Sequence, residues 1–200
     1  MVINLIKEQL KKSAEIKLEM VEGESDNILR ACRAIVKCFE SGGKVLLAGN
    51  GGSAADAQHI AGEFVAQFKI KNRKAMPALA LTTNSSIITS IVNDARNDSE
   101  FSRQVEAFAT HPEDLLIVIT TSGNSKNIIE AVKVAREKNI RIIGLLGSGG
   151  GQLKNMVDIA IIVPSNDVAR IQESHITIGH IICEIVEQRL FWLQDHKDGK

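Results

Sequence analysis

Two hundred residues, with 24 Lys and Arg balanced by 24 Asp and Glu, make a neutral chain of ordinary domain size. That length buries a core without disulfides or structural metals. The charge balance excludes the global field that would recruit nucleic acid or an anionic membrane, so any anion binding has to be local.

Apolar residues recur at helical spacing from Ile3 to Met20 and again from Asn27 to Ser41, where Gly42-Gly43 closes the stretch, so the chain is expected to open with two helices. Strand-like runs follow at Val45 to Ala48, Ala78 to Leu81, Leu115 to Thr120, Arg141 to Leu146 and Ile159 to Val163, each leading into a loop and a helical pattern. These runs are continuously apolar rather than alternating, as strands buried on both faces should be. The expected fold class is α/β, a five-stranded parallel sheet covered by helices on both faces. A long helix from Val168 to Leu193 closes the fold, giving a single domain over residues 1–195 and a polar tail over 196–200.

Cys32, Cys38 and Cys183 are odd in number, form no C-x-x-C pair and sit in apolar or helical contexts, so they read as buried thiols in a reduced compartment. Lys7, Lys11 and Lys12 interrupt the N-terminal stretch too early for a signal peptide, and no apolar run approaches membrane-spanning length. A soluble cytoplasmic protein is expected, with no nucleic-acid or membrane partner.

The stretch with most chemistry is Gly49-Asn50-Gly51-Gly52-Ser53, which ends the first strand and opens a helix carrying Asp56, His59 and Glu63. Backbone N–H groups at a helix start, unobstructed at Gly51 and Gly52, attract a phosphate or carboxylate. His59 and Glu63, four residues apart, share one helix face and can reach a common metal or proton. A second polar turn, Thr120-Thr121-Ser122-Gly123-Asn124-Ser125, follows the third strand. Ligands of open parallel sheets collect outside the carboxyl ends of the strands, so two such turns make a phosphate cradle, although Ser125 alone could simply cap its helix. The last helix adds Gln172, His175 and His180; Gln172 and His180 are separated by about 80° around the axis, and periodicity does not choose between the two histidines.

Gly49-x-Gly51-x-x-Ala54 meets the relaxed dinucleotide fingerprint, but no carboxylate waits for the ribose in Lys69-Ile70-Lys71-Asn72-Arg73-Lys74 or after the second strand. Neither turn ends in the Gly-Lys-Ser/Thr of a P-loop. A phosphorylated small molecule undergoing proton transfer fits better than a nucleotide.

Taken together, Gly49-Asn50-Gly51-Gly52-Ser53-Ala54-Ala55-Asp56-Ala57-Gln58-His59, Asn93-Asp94, Thr121-Ser122-Gly123-Asn124-Ser125 and Arg170-Ile171-Gln172-Glu173-Ser174-His175 resemble the sugar isomerase (SIS) domain, and within it the bacterial phosphoheptose isomerases. The resemblance covers nearly the whole chain. It implies a flavodoxin-like core, a homotetramer with active sites at subunit boundaries, one zinc ion per subunit, and isomerisation of sedoheptulose 7-phosphate to D-glycero-D-manno-heptose 7-phosphate, the first step toward the heptose of lipopolysaccharide. Carried over by motif, His59, Glu63, Gln172 and His180 resemble the zinc ligands, with Glu63 and His180 also the acid/base pair. Asn50, Gly51, Gly52, Ser53, Glu63, Asn93, Asp94, Thr120, Thr121, Ser122, Ser125 and Gln172 resemble the substrate contacts. The resemblance selects His180 over His175. Two positions depart from the family pattern: Thr120 stands where serine is commoner and keeps its hydroxyl, whereas Val168 replaces a threonine and has none to donate.

Rival readings are an isomerase of another phosphosugar and a non-catalytic relative that binds a replication initiator. The latter relatives lack the glutamate that corresponds to Glu63. Sugar-sensing regulators of this fold carry a separate basic DNA-binding domain, for which a neutral chain of 200 residues has no room.

Overall fold

The computed structural model describes residues 1–94 and 98–192. Helix α1 (Val2–Glu40) is followed by β1 (Val45–Gly49), α2 (Gly52–Val65), β2 (Ala78–Ala80), α3 (Ser85–Asn93), α4 (Glu100–Phe108), β3 (Leu115–Thr120), α5 (Lys126–Glu137), β4 (Arg141–Leu146), β5 (Ile159–Ile162) and α6 (Val168–Glu187). Each expected strand is present to within one residue at its end. The tail at 196–200 and Leu193 lie outside the described residues.

One expectation fails: the chain opens with a single helix of 39 residues rather than two. Between the two apolar stretches lie Gly23 and Ser25 but no proline, and one helical glycine costs only about 1 kcal/mol, too little to end a helix whose flanking turns are packed. Ser25 Oγ folds back onto the Val21 carbonyl at 2.6 Å, satisfying itself inside the helix. The expected stop at Gly42-Gly43 is real. Gly42 takes φ +82°, its N–H donates to the Phe39 carbonyl, and the Gly43 N–H donates to the Cys38 carbonyl, the paired bonds of a Schellman ending.

The sheet is parallel throughout, in the order β2-β1-β3-β4-β5. β1 and β3 are neighbours but far apart in sequence, so the chain reverses direction between them and opens a crevice at their carboxyl ends. Alternate residues of the central strands feed two cores. Leu47, Leu115, Ile117 and Ile119 pack beneath α1, α2 and α6, while Leu46, Ala48, Leu116 and Val118 pack beneath α4 and α5. β1 and β3 are buried at every position, and the edge strands β2 and β5 are only partly so.

All three cysteines are buried and free, and burial pushes the Cys32 and Cys38 thiols up to about 12 and raises Cys183 as well. They stay protonated, as structural thiols do.

His175 faces the core. It is fully buried, neither ring nitrogen has a well-formed hydrogen bond among the described residues, and burial, opposed only in part by the Leu146 backbone, pushes its pKa down to about 4. Because the folded value lies below the unfolded one, the neutral ring is the species that folds; stability is complete above about pH 6.5 and declines as pH falls toward 4. Between about pH 7 and pH 5 this one group removes about 2 kcal/mol. Denaturant midpoints at the two pH values should therefore converge in His175→Leu relative to the unmodified chain; an unchanged difference would contradict the assignment.

Candidate active site

The Gly49–Ser53 turn and the Thr120–Ser125 turn leave the adjacent strands β1 and β3, whose last paired residues are Gly49 and Ile119. Gly51 sits at φ +54°, ψ −120°, a conformation that a side chain would strain, and it caps α2. Asn50 joins the turns: its amide exchanges two hydrogen bonds of 2.9 Å with the amide of Asn127 in the first turn of α5. Asn127 also donates to Glu100 Oε1 and accepts from the Ile128 N–H, so a buried amide fixes both turns at once. Sequence reasoning passed over Asn127. Its signal was a polar amide in the first turn of a helix whose other inward positions are apolar.

Ser125 is the N-cap of α5, yet its side chain makes no cap bond; its hydroxyl lies 3.1 Å from the hydroxyl of buried Thr120. Ser122 Oγ accepts from the Asn124 N–H at 3.1 Å, and Asn124 Oδ1 accepts from the Gln152 N–H at 3.0 Å, bracing this turn against the loop after β4. Ser53 is buried under the first turn, and Thr121 is half-buried. The hydroxyls of Thr120, Ser122 and Ser125 therefore lie on one short turn beside two helix starts, an arrangement suited to a phosphate.

Helices α2 and α6 run side by side in the same direction. A Cβ at Gly52 would lie 2.4 Å from Gln172 Nε2, and one at Gly179 would lie 2.6 Å from Ile60 Cδ1, so the two helices touch near their starts and again two turns on. That second close approach, possible only with glycine at 179, brings His59 and His180 together with their Nε2 atoms 2.9 Å apart. Glu63 Oε1 lies 3.3 Å from His59 Nε2. Donor atoms of His59, Glu63 and His180 all fall within 4.8 Å of one another. Two imidazole nitrogens and a carboxylate oxygen are donors that suit a divalent transition metal such as zinc. Gln172 is placed against Gly52, at the end of α6 nearer the anion turn. The geometry sends His180 to the cluster and His175 to the core.

On the same helix as His59 and Glu63, Asp56 has its Oδ2 buried with no hydrogen-bond partner among the described residues; burial pushes its carboxyl up to about 6, and the proximity of His59 lowers it in part. In front, the Phe68 ring stacks on His180 with centroids 5.6 Å apart and planes 17° from parallel. Phe68 is held by an unexpected clamp. Glu187, buried in the last turn of α6, accepts the N–H groups of Phe68, Lys69 and Ile70 at 2.7 to 2.9 Å and pairs with Arg73 Nε at 2.5 Å. Arg73 in turn donates to the carbonyls of Glu63 and Phe64 at 2.6 and 2.8 Å. Burial alone would raise the Glu187 carboxyl, but Arg73 and the three backbone donors hold it below the ordinary range. A glutamate on the apolar face of α6 is the legible sign of this clamp; the basic run containing Arg73 gives none.

Asn93 and Asp94 are not brought to this cluster. They end α3, exposed, and Asp94 lines a surface depression between α3 and α4 together with Arg103 and Gln104. Val168 is exposed beside Asp167, which caps α6 by accepting the Ala169 N–H at 3.1 Å.

A crevice at the β1/β3 crossover, lined by hydroxyls and helix starts and adjoined by a His/Glu/His cluster, belongs to a phosphosugar-binding α/β domain. Comparison agrees: the SIS domain family model matches residues 9–147. The chain is 50% identical over 190 residues to the phosphoheptose isomerase of Clostridium acetobutylicum, covering 94% of this chain and 96% of the relative. It is 51% identical over 187 residues to the phosphoheptose isomerase of Citrifermentans bemidjiense, covering 93% and 96%. The solved structure of the Francisella tularensis phosphoheptose isomerase superposes with a TM-score of 0.89 at 38% identity, covering 94% of this chain and 99% of that one. The chain belongs to the SIS-domain family and, within it, to the phosphoheptose isomerases, which are aldose–ketose isomerases.

Proposed function

We propose that one SIS domain over residues 1–195 converts sedoheptulose 7-phosphate to D-glycero-D-manno-heptose 7-phosphate, with Glu63 and His180 dividing the proton transfers. The observation that carries this reading is the placement of the His59, Glu63 and His180 donors within 4.8 Å of one another, on α2, which starts at the Gly49–Ser53 turn, and on α6 packed beside it. Ketose-to-aldose conversion removes a proton from C1, passes through an enediol and returns a proton to C2, while another proton moves between the two oxygens. A carboxylate and an imidazole at adjacent positions can serve both exchanges. His59 lies seven residues along α2 from Gly52, about 10 Å by helical rise, a span that an extended seven-carbon chain with a terminal phosphate can bridge. Thr120, Thr121, Ser122 and Ser125 hold the phosphate, and Asn50, Gly51, Gly52, Ser53 and Gln172 line the chain between. Binding energy at the phosphate then positions carbons that it does not touch.

His59, Glu63 and His180 would hold zinc; Gln172, two turns back along α6 against Gly52, is not brought to them within one chain. The ion, when bound, would polarise the sugar carbonyl and order the site. Metal analysis of protein equilibrated with zinc and desalted should return one ion per chain, and His59→Ala should weaken zinc binding by about a hundredfold or more. Unchanged binding in that variant would remove His59 from the ligand set.

Assembly into a homotetramer, with substrate contacts shared between subunits, fits two features. α1 leaves Ile3, Leu5, Ile6, Leu10, Leu18 and Val21 exposed, an apolar surface that isolated chains rarely present to water. Asn93 and Asp94 are exposed at the end of α3, where a neighbouring copy could use them. No helix among the described residues is long and apolar enough to cross a membrane; free buried thiols and a phosphosugar substrate are consistent with the cytoplasm.

A further inference from the structure

The opposite end of the sheet gathers positive charge that sugar isomerisation does not use. Arg30, Arg33 and Lys37 follow one another along one side of α1, and with Arg136 at the end of α5 and Arg141 at the start of β4 they line a cleft of about 660 Å³. Asp158 is the one acidic residue on its lining, and Ile140 and Ile159 contribute apolar surface. In a chain of zero net charge this is a local excess, and a cleft with low-dielectric walls focuses it.

The internal partners leave much of that charge unanswered. Lys37 pairs with Glu113 at 3.0 Å, Arg136 donates to the Met156 carbonyl at 2.7 Å, and Arg30 donates to Asn27 Oδ1 at 3.1 Å and to the Asp158 carbonyl at 3.4 Å. Asp158 already accepts the Ile142 N–H at 2.8 Å. Among the described residues, no hydrogen bond or ion pair engages the guanidinium of Arg33 or Arg141. Four of the five cations are arginines, whose planar forks match phosphate oxygens two at a time. The volume is that of a small-molecule site, and the lining offers no aromatic ring on which a base could stack. β4 runs from Arg141 at this end to Leu146 at the carboxyl edge, about 17 Å away at the usual rise per strand residue, so the cleft is separate from the isomerase crevice.

We propose that this cleft binds a compact metabolite bearing two or more phosphate groups, at a site independent of the sugar phosphate crevice. Inorganic pyrophosphate is the probe, titrated calorimetrically into the full chain, into R33A/R141A and into Ser125→Ala, with inorganic monophosphate as comparison. The unmodified chain and Ser125→Ala should bind one pyrophosphate per chain. R33A/R141A, which removes two exposed side chains, should bind it about tenfold or more weakly while keeping its turnover and metal content. Equal affinity in R33A/R141A would overturn the proposal, as would loss of binding in Ser125→Ala, which would place the anion in the phosphate turn. Monophosphate binding as tight as pyrophosphate would overturn the multiple-phosphate assignment. A shift in oligomeric state for R33A/R141A by light scattering, without a change in pyrophosphate affinity, would instead make the cleft a contact between copies.

Discussion

Glu63→Gln should lower kcat for sedoheptulose 7-phosphate by about 10³-fold while KM changes only a few-fold. The amide keeps the size and reach of the carboxylate, and its backbone carbonyl stays fixed by Arg73 at 2.6 Å, so the helix and its neighbours have no reason to move. What disappears is the group able to accept a proton 3.3 Å from His59. In the proposed function the phosphate is held by the turn after β3 and not by this side chain, so ground-state binding is expected to survive. Metal content has to be measured on the same preparation, because Glu63 is also a proposed ligand. A variant with its zinc intact and near-normal turnover would defeat the acid/base assignment.

Glu187→Ala is the second large effect, and it falls on stability before chemistry. The Arg73–Glu187 pair is almost wholly excluded from solvent, with side chains about 1% exposed. Removing the carboxylate strands a buried guanidinium and three backbone N–H groups, a loss of about 3 to 5 kcal/mol in a domain whose total stability is about 5 to 15. Removing both partners in R73M/E187M should cost less than the sum of the single changes, because no charge is left unpaired. Phe68 loses its anchor in either case, so turnover in the milder Glu187→Gln should fall through misplacement of His180, with kcat affected more than KM. Chemical denaturation of the unmodified chain, R73M, E187M and R73M/E187M checks the first point; additive losses in the double variant would contradict the clamp. The same carboxylate gives a pH signature. Its folded-state value lies below the unfolded one, so its contribution is present above the ordinary glutamate range and is lost as pH falls through the lowered value.

Much of the fold was legible because its strands are short, apolar and separated by helical patterns, which leave few alternatives to a doubly wound parallel sheet. The sheet order put both polar turns at the crossover, as the strand-end rule anticipated. Periodicity failed in α1, where a polar middle with one glycine looked like a break but lacked any residue able to stop a helix. It also left His175 and His180 unresolved, since the choice depends on how α6 is rotated against α2, and that is set by contact between Gly179 and Ile60. Asn127, Arg73 and Glu187 escaped notice for a related reason. The pairings that join distant elements, Asn50 with Asn127, Phe68 with Glu187 and Arg73 with Glu187, span 77 to 119 positions in sequence, and no local pattern reports them. Asn93 and Asp94 entered through family resemblance alone, and a single chain does not bring them to the cluster.

Proton transfer between C1 and C2 of a seven-carbon ketose phosphate leaves an isotopic record. The protein is incubated in D₂O with sedoheptulose 7-phosphate and, separately, with shorter ketose phosphates, and the products are read by NMR. Deuterium should enter C2 of the heptose aldose phosphate at the rate of turnover, be absent with Glu63→Gln, and be slow with the shorter sugars. No incorporation from sedoheptulose 7-phosphate, or equal incorporation from a shorter ketose phosphate, would contradict the account.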